Sequence, residues 1–219
     1  MALITDNTAL QELCGRLSKA SYITVDTEFM REKTYWPILC LVQVAGPDEA
    51  WAIDPLAEGL DLSPLFDLFA DENILKVFHA GRQDLEIFYH LAGRLPKPVF
   101  DSQIAAMVCG YGDSVGYDTL IGSLTGVRID KSSRFTDWSV RPLSDRQIDY
   151  ALGDVTHLRV AYEKLKATLE SNGRADWLVE EMAVLTAAET YYVDPARAYL
   201  RLKVRNPKPR LLAVLREVA

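Results

Sequence analysis

Residues 22–29, Tyr-Ile-Thr-Val-Asp-Thr-Glu-Phe, alternate apolar or β-branched side chains, which predicts a β-strand. Side chains two apart on a strand point to the same face, so Asp26 and Glu28 stand side by side on an otherwise apolar segment. Two carboxylates so placed repel each other. Either that face is a solvated edge, or a divalent cation offsets the repulsion, because hard cations prefer carboxylate oxygens. Asp26-Thr27 also opens the turn signature of an aspartic protease, but that signature continues with glycine; Glu28 stands here and excludes it.

The neighbouring segments supply a frame for this strand. Residues 10–20 repeat apolar side chains at Leu10, Leu13, Cys14, Leu17 and Ala20, a short amphipathic helix. Two further strands are expected over 38–45 and 50–54, joined by the turn Gly46-Pro47-Asp48, so the first three strands read as an antiparallel meander. The pattern then changes to a helix (62–69), a buried strand (74–78), a helix (82–92), a short strand (99–101) and a helix capped by Ser102 and running to about Cys109. A meander followed by strand–helix repeats implies an α/β domain: a mixed sheet, antiparallel then parallel, flanked by helices.

Residues 110–116 are rich in glycine but lack the Gly-x-x-x-x-Gly-Lys-Ser/Thr pattern of a phosphate loop. A helix is expected over 118–125. The polar connection 128–142, with Lys131, Arg134 and Trp138, is long for a compact domain, and such loops are often functional. The clearest helix begins at Ser144, where Ser144 and Gln147 form a capping-box pattern; Ile148, Ala151, Leu152, Val155, Leu158, Ala161, Tyr162 and Leu165 line one side, and Asn172-Gly173 ends it. A further amphipathic helix is expected over 176–191 and a short helical pattern over 210–219. The organisation expected is one domain over 1–172 and a helical extension over 173–219.

The 219 residues, 49% apolar, suffice for one full domain and a small appendage. No window approaches the ~18 apolar residues of a membrane span, and residues 1–7 show no basic region before an apolar one, so neither a span nor a leader is expected. Cys14, Cys40 and Cys109 have no metal-ligand spacing and suggest free thiols in a cytosolic chain. The net charge is −7, yet residues 194–219 carry seven Lys/Arg against two acids, net +5, leaving −12 on the rest. A basic tail on an acidic body suits an enzyme with a polyanionic substrate and cations in an acidic site. It equally suits an ordinary acidic protein with a basic tail.

Three other places bear on chemistry. Tyr150 and Asp154 are four apart on the long helix and share a face, as a core tyrosine beside a rim carboxylate would. Asp84 falls in the first turn of a helix after a buried strand, where the helix dipole favours an acid and where open α/β sheets place ligands. His79 and Asp101 end strands, positions at which structural hydrogen bonding is the ordinary role. His79 and His157 have no Ser or Cys nucleophile pattern nearby, which disfavours a metal-free hydrolase.

Taken in order, Val25-Asp26-Thr27-Glu28-Phe29, His79-Ala80-Gly81-Arg82-Gln83-Asp84-Leu85-Glu86 and Tyr150-Ala151-Leu152-Gly153-Asp154-Val155 resemble the three motifs of the DEDD superfamily of 3′–5′ exonucleases, in its tyrosine-bearing branch. Lys131-Ser132-Ser133, Thr136-Asp137-Trp138 and Arg141-Pro142-Leu143 further resemble the ribonuclease D family. The resemblance covers about residues 10–170 and implies a ribonuclease-H-like fold. It implies hydrolysis of RNA from the 3′ end to nucleoside 5′-monophosphates, with transfer-RNA precursors as substrate and two divalent ions, Mg²⁺ or Mn²⁺, as cofactors. Asp26, Glu28 and Asp154 would hold the ion on the nucleophile side; Asp26 would bridge to the second, with Asp84 acting mainly through water. Tyr150 would orient the attacking water. Phe29, Met30 and His79, near the carboxylates in sequence, are candidates to stack on or wedge against the terminal bases. Residues 197–219 resemble only the start of the first helical RNA-binding domain of that family. No membrane and no protein partner are expected, and the chain is expected to be a cytoplasmic monomer. A DNA exonuclease of the same fold and a non-catalytic nucleic-acid-binding protein are the alternatives.

Overall fold

The computed structural model describes residues 2–130, 132–192, 194–205 and 208–218. Lys131, named above, lies outside the described residues, as do positions 1, 193, 206, 207 and 219 of the ranges given above.

Six strands form one sheet: β1 (Leu3–Ile4), β2 (Tyr22–Met30), β3 (Ile38–Ala45), β4 (Ala50–Ile53), β5 (Leu75–Phe78) and β6 (Val99–Asp101), in the order β1-β4-β3-β2-β5-β6. The pairs β2/β3 and β3/β4 are antiparallel, while β2/β5 and β5/β6 are parallel, which is the expected meander followed by parallel strands. The acidic strand β2 is therefore central, not a solvated edge. β1 was not anticipated: two residues carry no periodicity, and the strand exists only because Leu3 and Ile4 align in parallel with Ala52 and Ile53.

The helices are α1 (Asn7–Leu17), α2 (Ser63–Ala70), α3 (Arg82–Ala92), α4 (Ser102–Val108), α5 (Tyr117–Thr125), α6 (Asp145–Asn172), α7 (Trp177–Leu185) and α8 (Pro209–Val218). The capping box of α6 forms: the Ser144 hydroxyl accepts from Gln147 N at 3.3 Å and the Gln147 side chain accepts from Ser144 N at 3.0 Å. α6 lies across one face of the sheet. Its residues Ile148 and Ala151 meet Leu41, Ala52 and Trp138, and Leu158, Tyr162 and Leu165 meet Val77 and Phe100. Fully burying a side chain of this size contributes about 1.5–3 kcal/mol, so this buried stripe is what stabilises the 28-residue helix against the sheet. The opposite face packs on the other side of the strands: Phe78, adjacent to Val77 and so pointing away from α6, meets Phe88 of α3, which also meets Phe69 of α2 at 5.0 Å between ring centroids.

One cap differs from expectation. The N-cap of α4 is Asp101, whose carboxylate accepts from Gln103 N at 2.8 Å and Ile104 N at 3.4 Å; Ser102 is the first helical residue. A carboxylate one residue earlier reaches two amides that the shorter serine side chain, already inside the helix, cannot. α7 ends at Leu185 rather than continuing to Tyr191. The chain divides into compact units after Thr186, so α7, expected in the extension, packs with α4 and β6 in the first unit. Within the second unit, α8 packs against a 3-10 helix over Pro195–Arg201.

Candidate active site

Alternation along β2 builds the first wall. The Thr24 hydroxyl donates to the Val155 carbonyl of α6 at 2.8 Å, so Thr24, and with it Asp26 and Glu28, face α6. On β3, Gln43 stands directly opposite Asp26; it is fully buried, and neither amide atom has a hydrogen-bond partner among the described residues. Between Glu28 and Phe29 the register shifts by one, leaving Cys40 as the extra residue on β3. Bulges of this kind re-aim side chains at a strand end. Asp26, Thr27, Glu28 and Phe29 all line one cavity of about 420 Å³.

α6 supplies the facing wall. Tyr150 and Asp154 both line the cavity and share a hydrogen bond. The Tyr117 hydroxyl of α5 donates to the Asp154 backbone carbonyl, fixing that turn of α6 against the start of α5. Asp84 arrives from elsewhere. It is buried in the first turn of α3 and does not line the cavity, but accepts from the hydroxyl of Thr27, which points to the face opposite Asp26. Asp84 stands close enough to Asp26 for the charge of Asp26 to oppose its ionisation. The turn leading into α3 is held by Asp101, which accepts from Ala80 N at 3.1 Å and Gly81 N at 2.8 Å. Gly81 cannot be replaced without movement, because a Cβ there would lie 2.6 Å from the Cβ of Phe78.

The charges are in conflict. Burial, then the charge of Asp154, pushes Asp26 up to about 8. Burial, then Asp26, Asp154 and Asp84, pushes Glu28 up to about 9. Burial raises Asp154 to about 7 against the pull of Tyr150 and Arg134, and burial with Asp26 holds Asp84 well above the carboxylate range. The Tyr150 phenol is raised above its ordinary 10.0 by burial and by Asp154, Glu28 and Asp26. Among the described residues, no three His, Cys, Asp or Glu side chains are drawn together closely enough to hold an ion as they stand. The chemistry of the donor set nonetheless fits divalent cations. Four buried carboxylates have their charged forms disfavoured, Arg134 is the cation among the described residues that opposes this at Glu28 and Asp154, and doubly charged ions would counter every one of these shifts.

Of the substrate candidates, Phe29 and His79 line the cavity. Met30 does not; it packs against the cluster of Trp138, Leu143 and Ile148. His79 Nδ1 is 2.9 Å from the Ser102 hydroxyl, but Ser102 is fully buried and burial keeps the imidazole below its ordinary pKa, so the pair makes no exposed nucleophile. Thr27, Gln43, Tyr117 and Phe135 were not picked out in the sequence. The signal for Phe135 was its place in the long 128–142 connection; for Tyr117, its place at a helix start after the glycine-rich loop.

A family model described as 3′–5′ exonuclease matches residues 1–170, and the chain belongs to that family. Within it, the chain is similar to ribonuclease D of Nitrobacter hamburgensis, 56% identical over 219 residues, which are 100% of this chain and 57% of that protein. The chain thus spans little more than half the length of the curated relatives it matches. Among solved structures it is similar to Escherichia coli RNase D, an exoribonuclease involved in structured RNA processing, with a TM-score of 0.86 and 37% identity over 91% of this chain and 53% of that one. It is also similar to Brucella melitensis NrnC with bound Mg²⁺, with a TM-score of 0.69 and 30% identity over 78% of this chain and 84% of that one. No helix among the described residues is long and apolar enough to cross a membrane.

Proposed function

We propose that this chain is a metal-dependent 3′–5′ exoribonuclease that releases nucleoside 5′-monophosphates from RNA 3′ ends. The observation that carries the reading is the convergence of Asp26, Glu28, Asp154 and Tyr150, from two separate elements, on one open cavity, with Asp84 of a third element buried close behind Asp26. Asp26, Glu28 and Asp154 would hold one divalent ion, and Asp26 with Asp84 a second, Mg²⁺ or Mn²⁺. Such ions, when bound, supply an attacking water acidic enough for neutral pH and charge relief on the leaving oxygen.

The chain's own residues do the positioning. Tyr150 keeps its proton, because its phenol lies above the ordinary value; it can therefore donate or accept a hydrogen bond and orient water but not remove a proton as a free base. Thr27 fixes the rotamer of Asp84, and Tyr117 fixes the turn of α6 that bears Asp154. The likeness to ribonuclease D, and to a solved exoribonuclease involved in structured RNA processing, supports RNA as the substrate; we take transfer-RNA precursors in the cytoplasm as that RNA.

The test is a time course on 5′-labelled single-stranded RNA with Mg²⁺, with Mn²⁺ and with chelator, beside a matched DNA strand. The expected result is a ladder shortening from the 3′ end only with metal, abolished in Asp26→Asn with its fold intact. Wild-type turnover in Asp26→Asn would remove the assignment, and shortening of the DNA strand alone would move the chain to the DNA enzymes.

A further inference from the structure

Two residues at the mouth of the cavity take no part in holding cations or orienting water. Phe135 is 89% exposed, the most exposed large apolar side chain among the described residues, yet it lines the same cavity as Asp26, Glu28 and Tyr150. A phenyl ring left in water forgoes the burial that keeps most such rings inside. It is an odd choice for the tip of a polar loop unless something covers it. The guanidinium of Arg134 lies over the ring, 5.3 Å from its centroid, which leaves the other face to solvent. Arg134 makes no ion pair among the described residues and also lines the cavity. It is the cation whose field opposes the crowded charge of Glu28 and Asp154.

An aromatic face and a guanidinium with no ion pair among the described residues, side by side, match the two repeating parts of a nucleic acid strand. Every base has a π-face that stacks on an aromatic ring irrespective of its identity. Arginine pairs with phosphate oxygens through its planar fork and keeps its own stacking on the ring while doing so. A polyanion entering a pocket of carboxylates also needs a cationic contact at the entrance.

We propose that Phe135 and Arg134 form a nucleotide subsite at the mouth of the cavity, where the free face of the ring stacks on a base of the single-stranded RNA and the guanidinium pairs with the adjacent phosphate. The subsite rests on the reading of the cavity as an exonuclease site. It gives that site a grip on the strand that does not discriminate between bases, as an enzyme removing successive nucleotides requires.

The test is fluorescence anisotropy with end-labelled single-stranded RNA, in the Asp26→Asn background with Mg²⁺, so that binding is read without hydrolysis. Phe135→Ala should bind roughly tenfold more weakly and Phe135→Trp should bind as the parent does. Placing one abasic nucleotide at successive positions from the 3′ end should reveal one position at which the parent weakens by the same factor. At that position, Phe135→Ala should lose nothing further. Arg134→Gln should lower the slope of log affinity against log salt by about 0.7, the share of one phosphate contact on a single strand. Because Phe135 is exposed, the variants are expected to melt with the parent. Equal affinity of Phe135→Ala and parent for intact RNA overturns the subsite, as does an equal loss in both proteins at every abasic position. Failure of the wild-type chain to shorten RNA would instead remove the exonuclease reading, while the binding comparison still decides whether the subsite exists.

Discussion

At Asp26, burial and the charge of Asp154 act in the same direction, and the same holds for Glu28 among its three acidic neighbours. The consequence for stability has a definite sign. In the unfolded chain these groups titrate near pH ~4. In the folded chain without cations, Asp154, Asp26 and Glu28 titrate at about 7, 8 and 9. Between those limits the folded state holds more protons than the unfolded one. Stability of the metal-free protein is therefore fully present below about pH 4 and falls as pH rises toward 9. Melting curves in chelator should show a falling midpoint across that window, and Mg²⁺ should raise the midpoint more at pH 8 than at pH 5. A midpoint that holds level in chelator would contradict the close packing of these carboxylates. Tyr150 belongs to the same group but has a different task. Tyr150→Phe should lower turnover by roughly a hundredfold with little change in metal affinity measured by calorimetry, since a positioning hydroxyl is lost and no carboxylate is.

Elements place what residues supply. β2 offers Asp26 and Glu28 to α6 and turns Thr27 the other way, where it meets Asp84 at the start of α3. The start of α3 in turn depends on Asp101, one carboxylate that accepts from the turn before α3 and from the first amides of α4. Asp101, at the end of a strand, has the structural role its position suggests: it locks two parallel strand-to-helix connections together. Asp101→Ala leaves those four amides unsatisfied, two of them in the turn that aims Asp84. The expected cost is about 2 kcal/mol in urea unfolding, beyond that of an ordinary cap, with a fall in turnover that Asp101→Asn partly restores. Loss of stability without loss of turnover would show that the turn finds its place by packing of Gly81 on Phe78 alone.

On the scale of the molecule, charge is divided between an acidic body, −12, and the basic stretch 194–219, +5. Lys203, Arg205 and Lys208 in that stretch are exposed. If the second unit assists in holding RNA, replacing all three with Gln should reduce the salt slope of binding to a long single strand by about 2. Turnover of a dinucleotide, too short to reach beyond the cavity, should stay as it was. Equal salt slopes would leave RNA binding to the first unit.

What the sequence by itself determined is what depends on near neighbours along the chain. The period of two put Asp26 beside Glu28, the period of 3.6 put Tyr150 one turn from Asp154, and the Ser144–Gln147 box marked where α6 begins. The order of the three acidic motifs carried the family, because each motif is a short local pattern. Tertiary structure alone decided the rest. Asp84 enters through a hydroxyl 57 residues away, Asp101 braces a turn 20 residues back, and Tyr117 secures the backbone of Asp154 across 37 residues. Phe29 lines the cavity, whereas Met30 goes to the Trp138 cluster. No periodicity encodes contacts between distant segments; they are set when sheet register and helix packing bring those segments together and bury the groups they carry.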